Sequence, residues 1–208
     1  GFIMTISVVL LLIYAEGTRV EVPITSSKYK GFSGVYPIKL LYVSVVPVIL
    51  TSVLLTDIIF FSQFIWSNYN VGNTNPWLNW IGTGTVDELG NISYPTGGLV
   101  YYMNPPRSLD MAMADPLRAI SYVIFMVTLV VIFSKLWVEI GGLAPKEVAK
   151  SLMDSDVQVP GFRKAETSIG TVLAKYIPPI TILGGIIIGL LASLSDLLGV
   201  FGSGTGIL

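Results

Sequence analysis

Four basic side chains stand in two short groups that could bind an anion. Lys28 and Lys30 flank a tyrosine in "TSSKYKG", and Arg163 and Lys164 follow the turn-forming "PGF" in "VPGFRKAETS". Ammonium and guanidinium groups contact phosphates without reading a nucleotide sequence, so an RNA backbone is one surface that both groups would fit. Ordinary loops beside membrane helices carry the same residues, solvated or in contact with lipid phosphates, and this second interpretation stays open.

A different chemistry is indicated by two acids inside apolar runs. Asp57 lies in "LLTDII" and Asp196 lies in "SLSDLL". Carboxylates in two membrane helices could share a proton, as in an intramembrane protease, or bind a cation in a secondary transporter. The protease is disfavoured because "SLSD" has no glycine-rich signature before the acid. The absence of His excludes a serine–histidine mechanism, and the absence of Cys excludes disulfides and thiolate metal sites.

The composition places these residues in a membrane protein. Apolar residues make up 52% of the 208 residues and charged residues only 12%. The mean hydropathy is +0.74, which is well outside the range of soluble domains. The formal net charge of -1 gives no support to nucleic-acid binding by the chain as a whole, although local basic patches are compatible with it.

Four apolar runs predict membrane helices, at about residues 2–15, 40–66, 119–138 and 176–201. The first run is shorter than the roughly 20 residues that cross a bilayer core. No basic segment precedes it, as one would in a secretory signal, so we expect it to be the end of a longer helix. A further apolar run just opens at "GSGTGIL". Both ends therefore indicate a piece of a larger protein.

The lysines and arginines predict the orientation. Ten of the twelve belong to the side of the chain that contains the loops 16–39 and 139–175, and only two lie in the connection 67–118. The positive-inside rule makes the first two loops cytoplasmic and the third external. The external connection contains "NPWLNW", Tyr94, Tyr101 and Tyr102, whose amphipathic rings suit a membrane interface.

The first cytoplasmic loop predicts a short basic finger. If "TSSKYKG" is extended, Lys28 and Lys30 share one face of the strand. Gly31 and Gly34 permit a tight reversal, and Pro37 suits the first turn of a following helix.

The second cytoplasmic loop predicts an amphipathic helix. Pro145 suits a helix start, and Lys146 and Lys150 are four residues apart and share a face. Val148 and Leu152 line another face. The helix should therefore present its lysines to solvent, and the basic pair after "PGF" should occupy the tip of the loop.

Two features inside the apolar runs predict how the helices bend and pack. Pro47 lacks a backbone donor and would clash with the carbonyl of Val43, so a bend is expected there. Gly185, Gly189 and Ser193 recur every four residues, which predicts a stripe of small side chains against which another helix packs closely.

A series of motifs carries a family resemblance. They are "PITSSKYKG", "YPIKLLYVSVVPVIL", "YPTGGLVYYMNPP", "DPLRAISYVIFM", "FSKLWVEIGG", "VPGFRKAETS" and "LLGVFGSGTGIL". In order and approximate spacing the chain resembles the C-terminal half of the SecY family, the channel subunit of the protein-secretion translocon, in its archaeal and eukaryotic form. The resemblance extends over nearly all of the chain. It implies an all-α polytopic fold, with transmembrane helices six to nine of ten and the start of the tenth.

The resemblance also implies a function and a set of partners. The chain would form the pore of a protein translocation channel, pass secretory polypeptides and release apolar segments sideways into lipid. Its partners would be the N-terminal half of the channel, small SecE/gamma and beta-type subunits, the ribosome, nascent polypeptides with their signal sequences, and membrane lipid. No catalytic activity, cofactor or metal is implied. The location would be the plasma membrane of an archaeon or the endoplasmic reticulum of a eukaryote. A secondary transporter stays the alternative.

Specific positions follow from the same resemblance. The family contacts the ribosome through two basic residues between helices six and seven and through an arginine at the tip between helices eight and nine. Lys28 and Lys30 match the first two positions, Arg163 matches the third, and Lys164 adjoins it.

The second apolar run resembles helix seven, which is one wall of the lateral gate. Ile49 matches the residue that this helix supplies to the apolar ring of the pore, while Pro47 and Asp57 lie along the gate. Relatives usually have Asn where this chain has Asp57, so the polar contacts of its gate should differ from theirs.

Overall fold

The computed structural model describes residues 2–26, 33–39, 45–106, 108–154, 157–158 and 166–198. The elements in chain order are α1 (Phe2–Gly17), β1 (Arg19–Ser26), β2 (Ser33–Lys39), α2 (Val46–Tyr69), α3 (Pro76–Ile81), β3 (Thr83–Val86), β4 (Ile92–Gly97), α4 (Leu99–Met103), α5 (Leu109–Ala114), α6 (Pro116–Ile140), α7 (Pro145–Asp154), β5 (Val157–Gln158) and α8 (Glu166–Leu197).

Long apolar helices form the body of the protein. Within the described ranges α2, α6 and α8 are long and apolar enough to cross a membrane, and α1 is a shorter apolar helix. The predicted all-α membrane class is therefore confirmed. The helices extend past the predicted runs at several ends, and α8 begins at Glu166 rather than near residue 176. Hydropathy locates the part of a helix that lies in lipid, whereas the helix itself continues into its polar flanks.

The bend predicted at Pro47 is wrong. The first helical residue of α2 is Val46, with Val45 as its N-cap, so Pro47 lies in the first turn. The first N–H groups of a helix have no partner within it, and a proline there removes no hydrogen bond. The prolines inside a membrane helix are Pro178 and Pro179 of α8.

Two small antiparallel sheets cap the helices. β1 and β2 form a hairpin in which Arg19 pairs with Lys39, and β5 joins the other edge of β1. Pro37 lies in β2, so its predicted place in the first turn of a helix is also wrong. β2 is an edge strand, and an edge tolerates a residue without an N–H. The second sheet pairs β3 with β4 in the connection between α2 and α6, which the charge distribution predicts to be external.

Two apolar clusters hold the helices together. One joins β2, α6, α7 and α8 through Ile38, Val138, Val148, Ala149, Leu173, Ile177 and Ile180. The other joins α2, α4, α6 and α8, with Val48, Leu55, Met126, Val130 and Ile188 among its members. In α7, Val148 is buried and Leu152 packs against the first cluster, while Lys146 and Lys150 are exposed, as the sequence predicted.

The small-residue stripe of α8 packs against α6, as the spacing predicted. A Cβ added to Gly185 would lie 3.3 Å from the Cα of Val131, and one added to Gly189 would lie 3.1 Å from the Cα of Val127. Ser193 is fully buried. Because the neighbours are backbone atoms, the helices approach each other so closely that no side chain fits between them at these points.

Replacing Gly189 with Ala should therefore destabilise the protein. The helix propensity gain of about 1 kcal/mol is opposed by overpacking, which typically costs about 1–3 kcal/mol. The matched control is Gly170→Ala in the same helix, where the new Cβ would meet the Cβ of Ala149 at an ordinary 3.8 Å. Thermal denaturation of the purified channel complex should show a lower midpoint for Gly189→Ala only. Equal midpoints for the two variants would contradict the close approach.

Candidate functional site

A cleft of about 560 Å³ lies beside α2. One wall is formed by α2 and the other by α6, α8 and the external connection. The residues that line it are Ser52, Val53, Leu55, Thr56, Asp57, Ile59, Gln63, Tyr94, Asn104, Pro105, Tyr122 and Asp196. Many of these side chains are polar, although the helices that carry several of them are apolar. The cleft therefore brings polar side chains from several elements together beside an apolar helix.

The α2 wall carries a stripe of polar side chains. Ser52, Thr56 and Gln63 are separated by four and seven residues, which places them on one side of a helix. The hydroxyl of Thr56 donates to the carbonyl oxygen of Ser52 at 2.8 Å, so the helix continues undisturbed through this pair. Our sequence reasoning missed these three residues. The available signal was the four- and seven-residue spacing of polar side chains within an apolar run.

Asp57 is the one charged side chain among the α2 residues that line the cleft. It lies half-way along the 24-residue α2, and its side chain is exposed. Among the described residues its carboxylate has no hydrogen-bond or ion-pair partner. An acid at the centre of a membrane helix costs about 2.5–3.5 kcal/mol on insertion scales, so contact with acyl chains is unfavourable. The cleft offers the carboxylate a polar surrounding that lipid does not.

Asp196, the second of the two acids inside the apolar runs, lies in the opposite wall and has a structural role. Its Oδ2 accepts a hydrogen bond from the hydroxyl of Tyr122 at 2.7 Å. Tyr122 is buried near the start of α6, whereas Asp196 is close to the end of α8. The bond therefore joins the first turns of α6 to the last turn of α8.

The β3–β4 hairpin closes the cleft against the C-terminal part of α2. The ring of Tyr94 packs on that of Trp66 with 5.5 Å between centroids, and its hydroxyl is hydrogen-bonded to Ser62. Burial is the larger influence on the Tyr94 hydroxyl and raises its pKa. A Cβ added to Gly84 would lie 2.8 Å from the Trp66 ring, so this close approach requires glycine. These contacts fix β3 and β4 on α2.

A second polar cluster fixes the loop that carries Asn104. The hydroxyl of Tyr101 donates to Oδ2 of Asp115 at 2.8 Å, and this bond is the main cause that lowers the pKa of Asp115, followed by the bond from the Arg118 backbone N–H. The Arg118 guanidinium lies 4.3 Å from the Tyr101 ring centroid, and its Nε donates to the Asn104 carbonyl at 3.1 Å. The hydroxyls of Tyr94 and Tyr101 thus bond within the protein, and the interfacial position expected for these partly exposed rings stays a prediction.

The residues predicted along the gate lie on α2. The side chain of Ile49 is 46% exposed, in the first turns of the helix, and Pro47 is buried beside it. Asp57 follows two turns later and lines the cleft. All three therefore lie on one helix, but only Asp57 is part of the cleft.

The four predicted ribosome-binding residues, Lys28, Lys30, Arg163 and Lys164, lie outside the described residues. The described segments that flank them do meet. Thr25 and Ser26 at the end of β1 pair with Gln158 and Val157 of β5. The strands that precede the two basic groups in the chain therefore belong to one sheet.

The family of the chain is decided by its full-length match. Residues 1–208 match the family model described as SecY. This chain belongs to the SecY family. The alpha subunit of the protein transport protein Sec61 from Dictyostelium discoideum is 37% identical over 208 residues, which are 100% of this chain and 43% of that protein.

Solved SecY-family structures have the same fold. A structure reported as a protein-conducting channel is 35% identical, has a TM-score of 0.78, and is matched over 100% of this chain and 45% of its own. A SecY structure reported with a plug domain that stabilises the closed state has the same identity and TM-score, with 99% and 45% covered. The yeast Ssh1 complex on the 80S ribosome, at 23% identity and a TM-score of 0.67, covers 99% and 42% and shows the fold alone.

These comparisons confirm the resemblance seen in the sequence. The chain is a multi-pass integral membrane protein that spans less than half of the length of the SecY relatives it matches, and the match lies in a family of protein-transport channels. The secondary transporter, which the sequence left as an alternative, has no support from any of these relatives.

Proposed function

We propose that this chain forms one half of the pore of a protein translocation channel, in the plasma membrane of an archaeon or the endoplasmic reticulum of a eukaryote. The observation that carries the proposal is the fit of its whole length to a protein-conducting channel, with a TM-score of 0.78. Secretory polypeptides cross through this pore, and their apolar segments, including signal sequences, leave sideways into lipid. The helices correspond to the sixth to ninth of ten and the beginning of the tenth.

The channel works by binding and opening and catalyses no reaction. A chain without His or Cys has few groups for proton transfer or covalent catalysis. The sequence has no motif that resembles a phosphate-binding loop, so the energy for transport comes from its partners. The N-terminal half completes the pore, and small SecE/gamma and beta-type subunits surround it. A ribosome docks on the cytoplasmic loops and delivers the nascent polypeptide.

Ile49 belongs to the constriction of the pore in this proposal. Its half-exposed position on α2 leaves an apolar side chain available to a surface that the described residues do not cover. A ring of such side chains can seal a pore to ions because water leaves an apolar constriction.

Replacing Ile49 with Gly in the complete channel should raise the ion leak through the resting pore. The missing side chain widens the constriction and lets water enter it. Leu50→Gly is the matched control, because Leu50 is similarly exposed at 42% but points about 100° away around the helix. Conductance across planar bilayers measures the leak. Equal conductance for wild type and Ile49→Gly, or equal leaks for Ile49→Gly and Leu50→Gly, would show that Ile49 is not part of the constriction.

The cleft beside α2 forms part of the lateral gate in this proposal, and Asp57 sets its polarity. The carboxylate lies at mid-helix on the cleft surface and has no partner among the described residues. Charged groups at this depth are stable only where water or a polar partner reaches them. Asp57 therefore keeps water beside α2 and raises the hydrophobicity that a segment needs to pass into lipid.

Replacing Asp57 with Asn should lower this hydrophobicity threshold. A neutral amide holds water less strongly, and we expect a shift equivalent to about one or two leucines, each worth about 0.3–0.6 kcal/mol on the insertion scale. Asp57→Glu keeps the charge and should keep the threshold. A series of segments with graded leucine content, scored for insertion by glycosylation, measures it. If Asp57→Asn and wild type insert the series identically, Asp57 has no part in gating.

The cytoplasmic sheet presents the ribosome-docking surface. β5 pairs with the end of β1, so the loops with Lys28 and Lys30 and with Arg163 and Lys164 start from adjacent strands. Two basic groups that emerge from one sheet can contact one stretch of RNA backbone together. Neither contact depends on the nucleotide sequence.

Replacing Lys28 and Lys30 with Glu should weaken ribosome binding and flatten its salt dependence. Each phosphate contact that is lost removes about 0.7–0.9 from the slope of log affinity against log salt. Lys146→Glu with Lys150→Glu makes the same charge change on the exposed face of α7 and is the matched control. Co-sedimentation of reconstituted channel with empty ribosomes at several salt concentrations gives both quantities. Equal slopes for wild type and the Lys28/Lys30 variant would mean that these lysines do not contact the ribosome and are ordinary positive-inside charges.

A further inference from the structure

The short helix α3 is held at the outer end of α2 by asparagine side chains. Nδ2 of Asn70 donates to Oδ1 of Asn79 at 2.7 Å, and Nδ2 of Asn79 donates to the carbonyl of Asn73 at 2.8 Å. Oδ1 of Asn70 accepts from the backbone N–H of Asn75 at 3.0 Å. We call Asn70, Asn73, Asn75 and Asn79 the asparagine clamp. It fixes both the start and the body of α3 relative to α2.

The clamp is also bonded to the helix and the hairpin around it. Nε1 of Trp66, a buried residue of α2, donates to Oδ1 of Asn73 at 2.9 Å, and Nδ2 of Asn73 donates to the carbonyl of Gly84 in β3 at 2.9 Å. Asn73 has a φ of +53°, a left-handed conformation that asparagine tolerates better than most residues. The orientation of α3 is therefore set by polar bonds and not by packing of its apolar side chains.

The apolar side chains of α3 are left on its outer surface. Trp77 is 86% exposed and Trp80 is 79% exposed, and residues three apart lie on the same side of a helix. The sequence of α3, PWLNWI, has no charged residue. Two neighbouring indoles held outward on an uncharged helix form a surface that is unfavourable in bulk water.

The level of α3 along the membrane normal follows from α2. Exposed apolar side chains continue up this helix through Phe60, Phe61 and Phe64, and polar residues occupy 67–70. The boundary of the hydrocarbon core therefore lies near Trp66, which is the residue that binds the clamp. α3 begins seven residues after α2 ends and is bonded back to that same level.

We propose that Trp77 and Trp80 bind the interface of the external lipid leaflet and anchor the β3–β4 hairpin to it. Indole suits this layer because its rings enter the acyl-chain boundary while its N–H stays with headgroups and water. A lipid occupant is favoured over a charged protein surface because α3 offers no charge to pair. The hairpin carries Tyr94, so the anchor holds the outer wall of the cleft at a fixed depth. This inference does not depend on the proposed function.

The test uses the intrinsic fluorescence of these indoles in the assembled channel. Channel complexes are reconstituted in phosphatidylcholine vesicles that are unlabelled, brominated near the headgroup, or brominated near the chain end. The emission of Trp77 and Trp80 is the difference between the spectrum of the wild type and that of the Trp77→Phe/Trp80→Phe variant. We expect it to be blue-shifted and quenched several-fold more by bromine near the headgroup than by bromine near the chain end.

A matched control places an indole in the same hairpin beside the exposed acids Asp87 and Glu88, whose charges favour water over the membrane surface. Leu89→Trp in the Trp77→Phe/Trp80→Phe background puts it at the turn between β3 and β4, where Leu89 is 88% exposed. Its emission should be red-shifted and unquenched. If Trp77 and Trp80 behave like this control, they face water and the proposal is wrong. If their emission is blue-shifted but unquenched by either lipid, a protein surface covers them and the lipid anchor is equally excluded.

Discussion

The absence of hydrogen-bonding partners in the bilayer core is the constraint on which this structure depends. Every backbone group in α2, α6 and α8 must bond within the protein, which only a helix achieves in a single segment. Most buried hydroxyls obey the same rule, and among the described residues that of Ser134 in α6 is the exception. The hydroxyls of Thr51, Thr181 and Ser195 each donate to the carbonyl four residues earlier, at 2.6–2.8 Å. Against this background Asp57, a mid-helix carboxylate without such a bond in the described structure, identifies the cleft as the place where water or a polar group must enter.

The α6–α8 pair is held together more closely than α2 is held to either helix. α6 and α8 are held by backbone contact at Gly185 and Gly189 and by the bond between Tyr122 and Asp196. α2 packs on this pair mainly through one face, and its other face exposes a continuous set of large apolar side chains: Ile49, Leu50, Val53, Phe60, Phe61 and Phe64. A helix that is fixed on one side and exposes apolar surface on the other is suited to form a wall that can separate from its neighbour.

Features that depend on the spacing of nearby residues could be predicted from the sequence. Features that depend on contacts between distant residues could not. Hydropathy located the long helices, and a four-residue repeat sufficed for the packing stripe of α8. Pro47 was misinterpreted because its effect depends on where α2 begins, which hydropathy does not reveal. The Tyr122–Asp196 bond joins residues 74 positions apart, and no local pattern announces it. The roles of Lys28 and Arg163 were predicted from family resemblance alone. A basic pair in a loop can contact RNA phosphates, lipid phosphates or only solvent, and residue type and spacing do not distinguish these cases.

Each of the two sheets is connected to one end of α2, the helix that forms one wall of the cleft. At the N-terminal end of α2, β2 precedes the helix, and β5 lies between α7 and α8 in the chain, so the β1–β2–β5 sheet links segments that precede both walls. At the C-terminal end of α2, Tyr94 and the asparagine clamp hold the β3–β4 hairpin on the helix. If a partner shifted the β1–β2–β5 sheet, it would act on a helix whose C-terminal end is held by these contacts. The response to be expected is a tilt of α2 about that end, which would change the width of the cleft near Asp57.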